Sequence, residues 1–213
     1  MKLNTLALVH EVLSRHVQPG AFCIDATAGK GRDTALLCRL AGPEGTVLSF
    51  DIQSDAVRQT RELLTQEGLS ARVYQESHVN MGNFAKENSV DAIVFNFGRL
   101  PGGDPHIFTH AETSIAAINA GLALLKPGGL MAIALYYGKE NGYAERDAIL
   151  THVRTLDDRA FSVLSCDWAN RKNDPPCPCS SGRGNSAPVL HILYTFVHFL
   201  AISPLFFLEE LHI

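Results

Sequence analysis

The sequence lacks the excess of positive charge that is typical of many nucleic-acid-binding proteins. Its 18 lysines and arginines are outnumbered by 22 aspartates and glutamates, which gives a formal net charge of −4 at pH 7. Binding to a polyanion by bulk electrostatic attraction is therefore excluded. Any contact with RNA or DNA depends on a local patch, as in a brief encounter between an enzyme and its substrate.

Cysteine is scarce and irregularly spaced. The five cysteines stand at positions 23, 38, 166, 177 and 179, and a chain of 213 residues needs no disulfide to form a stable core. Cys177 and Cys179 flank a proline, a spacing that is not typical of a zinc site and has no second pair to complete it. We therefore predict reduced thiols and no bound metal.

The N-terminus lacks a long apolar run followed by a small-residue cleavage site. Polar residues recur throughout residues 1–16, which is not the pattern of a secretory signal peptide. The segment predicts the first helix of a cytoplasmic protein.

Short apolar runs alternate with amphipathic segments along most of the chain. The runs predict strands at 21–26, 46–51, 71–75, 90–98, 130–137 and 161–168, and the segments predict helices at 3–15, 34–40, 54–67, 80–86, 109–125 and 143–156. Such continuous apolar strands are typical of a parallel sheet buried on both faces. We predict one main domain of the α/β class, with a mostly parallel sheet and helices on both faces.

Three helix ends carry end signals. Ser54 is a candidate N-cap, and Gly68 is a candidate stop for the same helix. Thr109 and Glu112 have the spacing of a capping box, which predicts that the next helix begins at Thr109.

The composition changes after residue 170. Residues 187–208 contain no Asp, Glu, Lys or Arg, and a run of this length reaches the lower bound for a membrane span. His191, His198, Ser203 and Pro204, and the absence of anchoring residues on the C-terminal side, argue against a span. Membrane contact through this run stays open beside two alternatives, a strand or helix packed on the sheet edge and a foreign tail.

Ligands of an open parallel sheet bind at the carboxyl ends of its strands, so the residues after each apolar run form the candidate site. After the first run, Gly29 and Gly31 allow the backbone to approach a ligand closely. A dinucleotide fingerprint has a third glycine or alanine where this chain has Thr34. Asp25, just before the glycines, would repel a pyrophosphate and suits a ligand with an ammonium or sulfonium group, such as S-adenosylmethionine.

Polar residues also follow the next two runs. Asp51 lies about twenty residues past Gly31, where a carboxylate can accept both ribose hydroxyls of an adenosine, in NAD-binding and S-adenosylmethionine-binding sheets alike. Gln53 can add a polar contact to the nucleoside. Ser77 and His78 lie where the edge of an adenine is expected.

The loop after the fourth run faces the side on which a methyl group would be delivered. Asn96 offers a carbonyl oxygen that can accept a hydrogen bond from an acceptor amine and so orient the nitrogen lone pair. Asp104 and Tyr137 are candidates to receive the proton or to line the pocket. Asn96, Asp104 and Tyr137 are therefore the predicted catalytic residues.

Six strings resemble, in order and spacing, the bacterial rRNA methylase-like family of class I S-adenosylmethionine-dependent methyltransferases. They are DATAGKGRDT, FDIQ, SHVNMGNF, FNFGRLPGGD, KPGGLMAIALYYG and NRKNDPP, and they cover roughly residues 6–176. The resemblance implies a Rossmann-like fold, S-adenosylmethionine as cofactor and tRNA as substrate. The reaction it implies is methylation of the aminomethyl group of 5-aminomethyl-2-thiouridine at the wobble position.

The resemblance also implies a role for individual residues. The implied cofactor-binding positions are Asp25, Thr27, Gly29, Lys30, Gly31, Asp33, Thr34, Asp51, Gln53, Ser77 and His78. The implied substrate-binding positions beside Asn96 are Gly98, Arg99, Leu100, Pro101, Gly102, Gly103 and Thr109, and Thr113 matches the same threonine-rich segment.

The chain departs from the family pattern at four places. Lys30 replaces an asparagine between the glycines and adds a cation beside a cationic cofactor. The repulsion between the two would be avoided if the lysine side chain faces solvent. Arg99 replaces an aromatic residue and could contact an RNA phosphate, and Lys139 replaces a histidine.

Residues 1–176 form the predicted methyltransferase domain, whereas 177–213 form an atypical tail, the fourth departure, that could replace the last strand or result from a frameshift.

Three functions remain open at this point. The first is N-methylation of the modified tRNA nucleoside, and the second is methylation of rRNA or a small molecule by the same fold. The third is an NAD-binding oxidoreductase or a silent nucleotide-binding module. The sequence leaves the oligomeric state, including a homodimer, and the RNA-docking surface open.

Overall fold

A computed structural model describes residues 5–98, 109–135, 140–166 and 189–195. Within these ranges the chain forms five α-helices and seven strands. The helices are α1 Thr5–His16, α2 Arg32–Ala41, α3 Ser54–Gln66, α4 Ala111–Leu124 and α5 Glu140–Val153, and a 3₁₀ turn spans His78–Asn83. The strands are β1 Phe22–Asp25, β2 Thr46–Asp51, β3 Arg72–Gln75, β4 Val90–Phe97, β5 Leu125–Leu135, β6 Phe161–Cys166 and β7 Val189–Thr195.

The strands form one sheet in the order β3-β2-β1-β4-β5-β7-β6. The five strands from β3 to β5 are parallel, and β7 pairs antiparallel with both β5 and β6. The predicted α/β fold with a mostly parallel sheet is confirmed. Because β2 and β4 lie on opposite sides of β1, the carboxyl ends of these three parallel strands meet at the switch point where ligands of such sheets bind.

The two faces of the sheet carry side chains of different size. On the face covered by α1, strands β4 and β5 present small residues, among them Ala92, Ala132 and Ala134. On the opposite face β4 presents Phe95 and Phe97, which stack with ring centroids 4.9 Å apart. Because successive residues of a strand point to opposite faces, β4 presents small residues on the face covered by α1 and aromatic residues on the other face.

Two predicted helix N-caps are wrong, whereas a predicted stop is confirmed. Helix α3 begins at Ser54 with Gln53 as its N-cap, so Ser54 is not the cap. Helix α4 begins at Ala111 with His110 as its N-cap, and the capping box at Thr109 does not form. Gly68 ends α3 with a φ of 65°, a conformation that most residues resist.

Residues 126–129, between the predicted fifth strand and the helix before it, form a bulge inside β5. The pairing with β4 passes from Val90 opposite Leu125 to Ala92 opposite Leu130, so four residues are accommodated against one. Gly128 adopts a φ of 77° there. Such a bulge accentuates the bend of a strand while it keeps the pairing on both sides.

The apolar run at 187–208 contributes a strand where it is described. Its residues 189–195 are β7, which lies between β5 and β6 and is not on the sheet edge. None of the helices in the described ranges is long and apolar enough to cross a membrane. The division of the chain at residue 176 stays a prediction.

Candidate active site

The turn between β1 and α2 contains both glycines of the first motif. Gly29 and Gly31 have φ angles of 54° and 77°, which side-chain-bearing residues rarely adopt. A Cβ on Gly31 would lie 2.9 Å from Cα of Thr60, so the second glycine lets helix α3 pack directly on the turn. Its need for glycine thus arises from packing as well as from the backbone conformation.

The amides of this turn are already used inside the protein. Gly29 N donates to Asp51 Oδ2 at 2.9 Å, Gly31 N donates to the Ala28 carbonyl at 2.8 Å, and Thr27 N donates to Asp25 Oδ1 at 3.1 Å. A phosphate at such a turn is held by free backbone amides. The hydrogen bonding of the turn therefore does not favour a phosphate-binding site.

Asp25 ends β1 and is fully buried. Thr34 donates its hydroxyl to Asp25 Oδ2 at 2.6 Å and also lies 2.9 Å from the hydroxyl of Ser49. Burial, with a smaller contribution from the Asp33 carboxylate, raises the pKa of Asp25 to about 7. Asp25 and Thr34, two of the residues predicted to bind the cofactor, thus form a buried pair beneath the turn.

Asp51 ends β2 and connects that strand to the glycine turn. Besides the bond from Gly29, its Oδ1 accepts the backbone amide of Gln53 at 2.9 Å. Each carboxylate oxygen can accept two hydrogen bonds, so the half-buried group retains capacity for a ligand hydroxyl. The next residue, Ile52, is 56% exposed and offers an apolar surface beside that carboxylate.

Ser77 and His78 follow β3 at the start of the 3₁₀ turn. Ser77 is its N-cap and accepts a hydrogen bond from Val79 N. His78 Nδ1 lies 3.2 Å from the Ala26 carbonyl, and because a carbonyl only accepts, Nδ1 carries the proton. Burial lowers the pKa of His78, which keeps the ring neutral and leaves Nε2 as an acceptor.

Asn96 lies near the end of β4 and is held at both its backbone and its side chain. Its backbone N donates to Thr27 Oγ1 at 2.7 Å, and Nδ2 donates to Asp33 Oδ2 at 2.5 Å. Asp33, in the first turn of α2, is 6% exposed. Among the described residues none donates to Asn96 Oδ1.

Gly98 and Thr109 are joined by a reciprocal pair of hydrogen bonds. Gly98 N donates to Thr109 Oγ1 at 2.9 Å, and Thr109 N donates to the Gly98 carbonyl at 3.1 Å. These two bonds therefore join the end of β4 to the residues just before α4. The threonine predicted as a helix cap takes part in both of them.

Lys30 is exposed, and it makes no ion pair within the part of the chain that the structure describes. Its solvent-facing position removes the conflict between a cation in the motif and a cationic cofactor. The other predicted site residues lie outside the described residues: Arg99, Leu100, Pro101, Gly102, Gly103, Asp104 and Tyr137. Cys177, Cys179 and Lys139 also lie outside them. The described residues contain no group of three side chains suited to hold a metal.

Two residues near the site were not found from the sequence. His10 on α1 places Nε2 2.5 Å from Asp33 Oδ1, although no motif includes it and only the tertiary contact shows it. Ile52 could have been found, because it continues the apolar alternation of β2 past the strand end.

Comparisons with known proteins agree with this geometry. The family model described as "Putative rRNA methylase" matches residues 47–181, more than half of the chain. A chloroplastic protein of Arabidopsis thaliana named tRNA (mnm(5)s(2)U34)-methyltransferase is 35% identical over 153 residues, which is 67% of this chain and 56% of that protein. The chain spans about half the length of the curated relatives it matches.

Two crystal structures resemble the whole fold. A "putative rRNA-methylase" from Clostridium thermocellum has a TM-score of 0.83 and 32% identity, and the match covers 92% of this chain and all of that one. A "putative methyltransferase" from Streptococcus mutans, solved in complex with SAH, has a TM-score of 0.78 and 30% identity with the same coverage. This chain therefore belongs to the rRNA methylase family of class I S-adenosylmethionine-dependent methyltransferases.

Proposed function

We propose that this chain transfers a methyl group from S-adenosylmethionine to the nitrogen of an aminomethyl group on tRNA, that of 5-aminomethyl-2-thiouridine at the wobble position. The observation that carries the proposal is Asn96, whose amide nitrogen is bound to Asp33 and whose carbonyl oxygen has no donor among the described residues. An oriented carbonyl oxygen at the carboxyl end of a central strand suits an acceptor that carries N–H groups.

The charges at the site fit a cationic cofactor. Asp51 accepts the backbone amide of Gly29 and Asp33 lies in the first turn of the helix after Gly31, and no described lysine or arginine forms an ion pair with either carboxylate. An anionic environment attracts the sulfonium and ammonium groups of S-adenosylmethionine and repels a pyrophosphate. The exposed side chain of Ile52 and the remaining acceptor capacity of Asp51 suit an adenosine.

S-adenosylmethionine supplies an electrophilic methyl group, and its transfer requires a neutral nucleophile aligned with the methyl–sulfur bond. Asn96 can accept one N–H of the acceptor amine, which directs the nitrogen lone pair toward the methyl donor. The amine nitrogen forms the new bond to carbon, the carbon–sulfur bond breaks, and the amine loses one proton. Asp104 and Tyr137, outside the described residues, are our candidates to receive that proton.

The name of the Arabidopsis relative supports tRNA as the substrate, since it denotes a methyltransferase of a modified uridine at position 34. The net charge of −4 is compatible with a local RNA contact but not with strong general RNA binding.

The decisive experiment is nucleoside mass spectrometry of tRNA from cells with and without the gene. Loss of the gene should raise the aminomethyl nucleoside at the expense of the methylaminomethyl nucleoside, and purified protein should restore the ratio in vitro. An unchanged ratio would contradict the assignment, and rRNA from the same cells shows whether the acceptor lies there. Calorimetry should detect heat with S-adenosylmethionine and none with NAD. This result would separate methylation of tRNA and methylation of rRNA from the activity of an NAD-binding oxidoreductase.

A further inference from the structure

His10 connects a helix outside every sequence motif to the site. Its ring on α1 is 31% exposed, and Nε2 lies 2.5 Å from Oδ1 of Asp33, whose side chain is 7% exposed. A carboxylate only accepts hydrogen bonds, so His10 donates through Nε2. Hydrogen bonds to an ionised group at low exposure are short and strong, and the histidine therefore restrains the carboxylate of Asp33.

The second oxygen of Asp33 holds Asn96. Oδ2 accepts Nδ2 of Asn96 at 2.5 Å, so the carboxylate bridges two donors with its two oxygens. The three side chains come from α1, α2 and β4. His10 lies 23 residues before Asp33 along the chain, and Asn96 lies 63 residues after it. The backbone of Asn96 is held separately by Thr27 Oγ1. His10 thus restrains the amide orientation of Asn96 without being needed for the position of its backbone.

We propose that His10 is a positioning residue for methyl transfer, acting through Asp33 to keep Oδ1 of Asn96 directed at the N–H of the acceptor amine. This inference rests on the proposed function for the identity of the acceptor. Without the donor from α1, the Asp33 carboxylate turns on its side-chain torsions, and the amide of Asn96 turns with it. Misalignment of a reacting group reduces the rate of the chemical step more than it reduces ground-state binding.

The kinetic test compares three histidine variants. His10→Ala should lower kcat by about tenfold while the KM for S-adenosylmethionine stays close to wild type. His10→Gln retains an N–H donor at a similar reach and should recover most of the rate. His16→Ala is the matched control, because His16 lies on the same helix and contacts the carbonyl of Asp91 instead of the site. It should leave kcat unchanged.

A double-mutant cycle tests whether His10 acts through Asn96. In an Asn96→Ala background, His10→Ala should have no further effect on kcat, because the group it positions is absent. Additive losses would overturn the proposal. So would a raised KM for S-adenosylmethionine with an unchanged kcat, since that result would assign His10 and Asp33 to cofactor binding.

An NMR measurement tests the positioning without any acceptor. The side-chain amide signals of Asn96, identified by their loss in Asn96→Ala, should shift in His10→Ala and stay close to wild type in His10→Gln and His16→Ala. Unshifted signals in His10→Ala would overturn the proposal. If they shift as expected but wild-type protein methylates no tRNA, the positioning role stands and the proposed acceptor is wrong.

Discussion

At the ends of β1 and β2, backbone amides of the turns donate to carboxylate side chains, whereas at the end of β4 the side chain of Asn96 donates to the carboxylate of Asp33. We call residues 25–34 and 51–53 the glycine half, and Asn96, Gly98 and Thr109 the asparagine half. In the glycine half, Gly29 and Gln53 both donate to the carboxylate of Asp51. In the asparagine half, the bonds of Asn96 reach Asp33 and Thr27.

This difference determines how each half tolerates change. Backbone bonds depend on the local conformation, so the glycine half is sensitive to substitutions that alter φ or fill space. Side-chain bonds can be deleted one at a time without moving the chain. We therefore expect variants of the glycine half to lose mainly stability, and deletion of the Asn96 side chain to lose mainly rate.

Asn96→Ala should show the largest effect. It removes the carbonyl oxygen proposed to orient the acceptor amine while the backbone bond to Thr27 remains. We expect kcat to fall by about 100-fold, with the affinity for S-adenosylmethionine close to wild type. Steady-state kinetics and calorimetry measure the two quantities. Asn119→Ala on α4, which deletes an exposed contact with His152, is the control and should have normal kcat. A parallel loss of cofactor affinity in Asn96→Ala would show that Asn96 contributes to cofactor binding, as we expect of the glycine half, and would contradict a role in orienting the acceptor amine.

Gly31→Ala should cause the largest loss of stability. A Cβ there would lie 2.9 Å from the backbone of Thr60, and the φ of 77° is unfavourable for alanine. The free energy of unfolding should fall by about 3 kcal/mol. Gly68→Ala is the matched control, since its φ is 65° but nothing lies within 4 Å of the added carbon. It should cost only about 1 kcal/mol. Equal losses in urea denaturation would show that packing on α3 contributes little.

The pH dependence of stability should report the buried carboxylate of Asp25. Burial raises its pKa from 3.8 to about 7, so the folded protein holds a proton that the unfolded chain has released. The contribution of Asp25 is therefore fully present below about pH 4 and is lost as the pH rises through about 7. The loss should approach about 1.4 kcal/mol per pH unit at its steepest. Urea denaturation at several pH values should show this loss in wild type relative to Asp25→Asn; a constant difference would contradict the shift.

Thr109→Val should have the smallest effect. It deletes the hydroxyl that accepts Gly98 N at the base of the segment between β4 and α4. We expect about 1 kcal/mol less stability and a raised KM for tRNA. Thr151→Val on α5, which removes an exposed bond to the Asp147 carbonyl, is the control and should change neither. A normal KM in Thr109→Val would show that this closure serves the fold alone.

The glycine half was predictable because its bonds join residues of adjacent motifs. Gly29, Asp51 and Gln53 follow apolar runs, and parallel strands bring their carboxyl ends to one edge. The small-residue turn and the acids after the strands therefore predicted that these residues lie together. Even here the sequence did not show that Gly31 packs against Thr60, because that contact depends on how α3 lies across the turn.

The N-cap at Thr109 was predicted wrongly because the threonine hydroxyl has a tertiary partner. Serine and threonine side chains bond to whichever partner the tertiary structure offers, and the hydroxyl of Thr109 accepts Gly98 N instead of capping α4. Gly68 was predicted correctly, since a positive φ at a helix end is a property of the local backbone.

The sequence by itself determined the α/β class, the parallel strands and the acids and glycines at their carboxyl ends, because hydrophobic periodicity and backbone conformation are local properties. Only the tertiary structure decided that Asp33 faces both His10 and Asn96. It also decided that residues 189–195 form a strand between β5 and β6. These contacts join residues far apart in the chain, and their geometry follows from how helices and strands pack on one another.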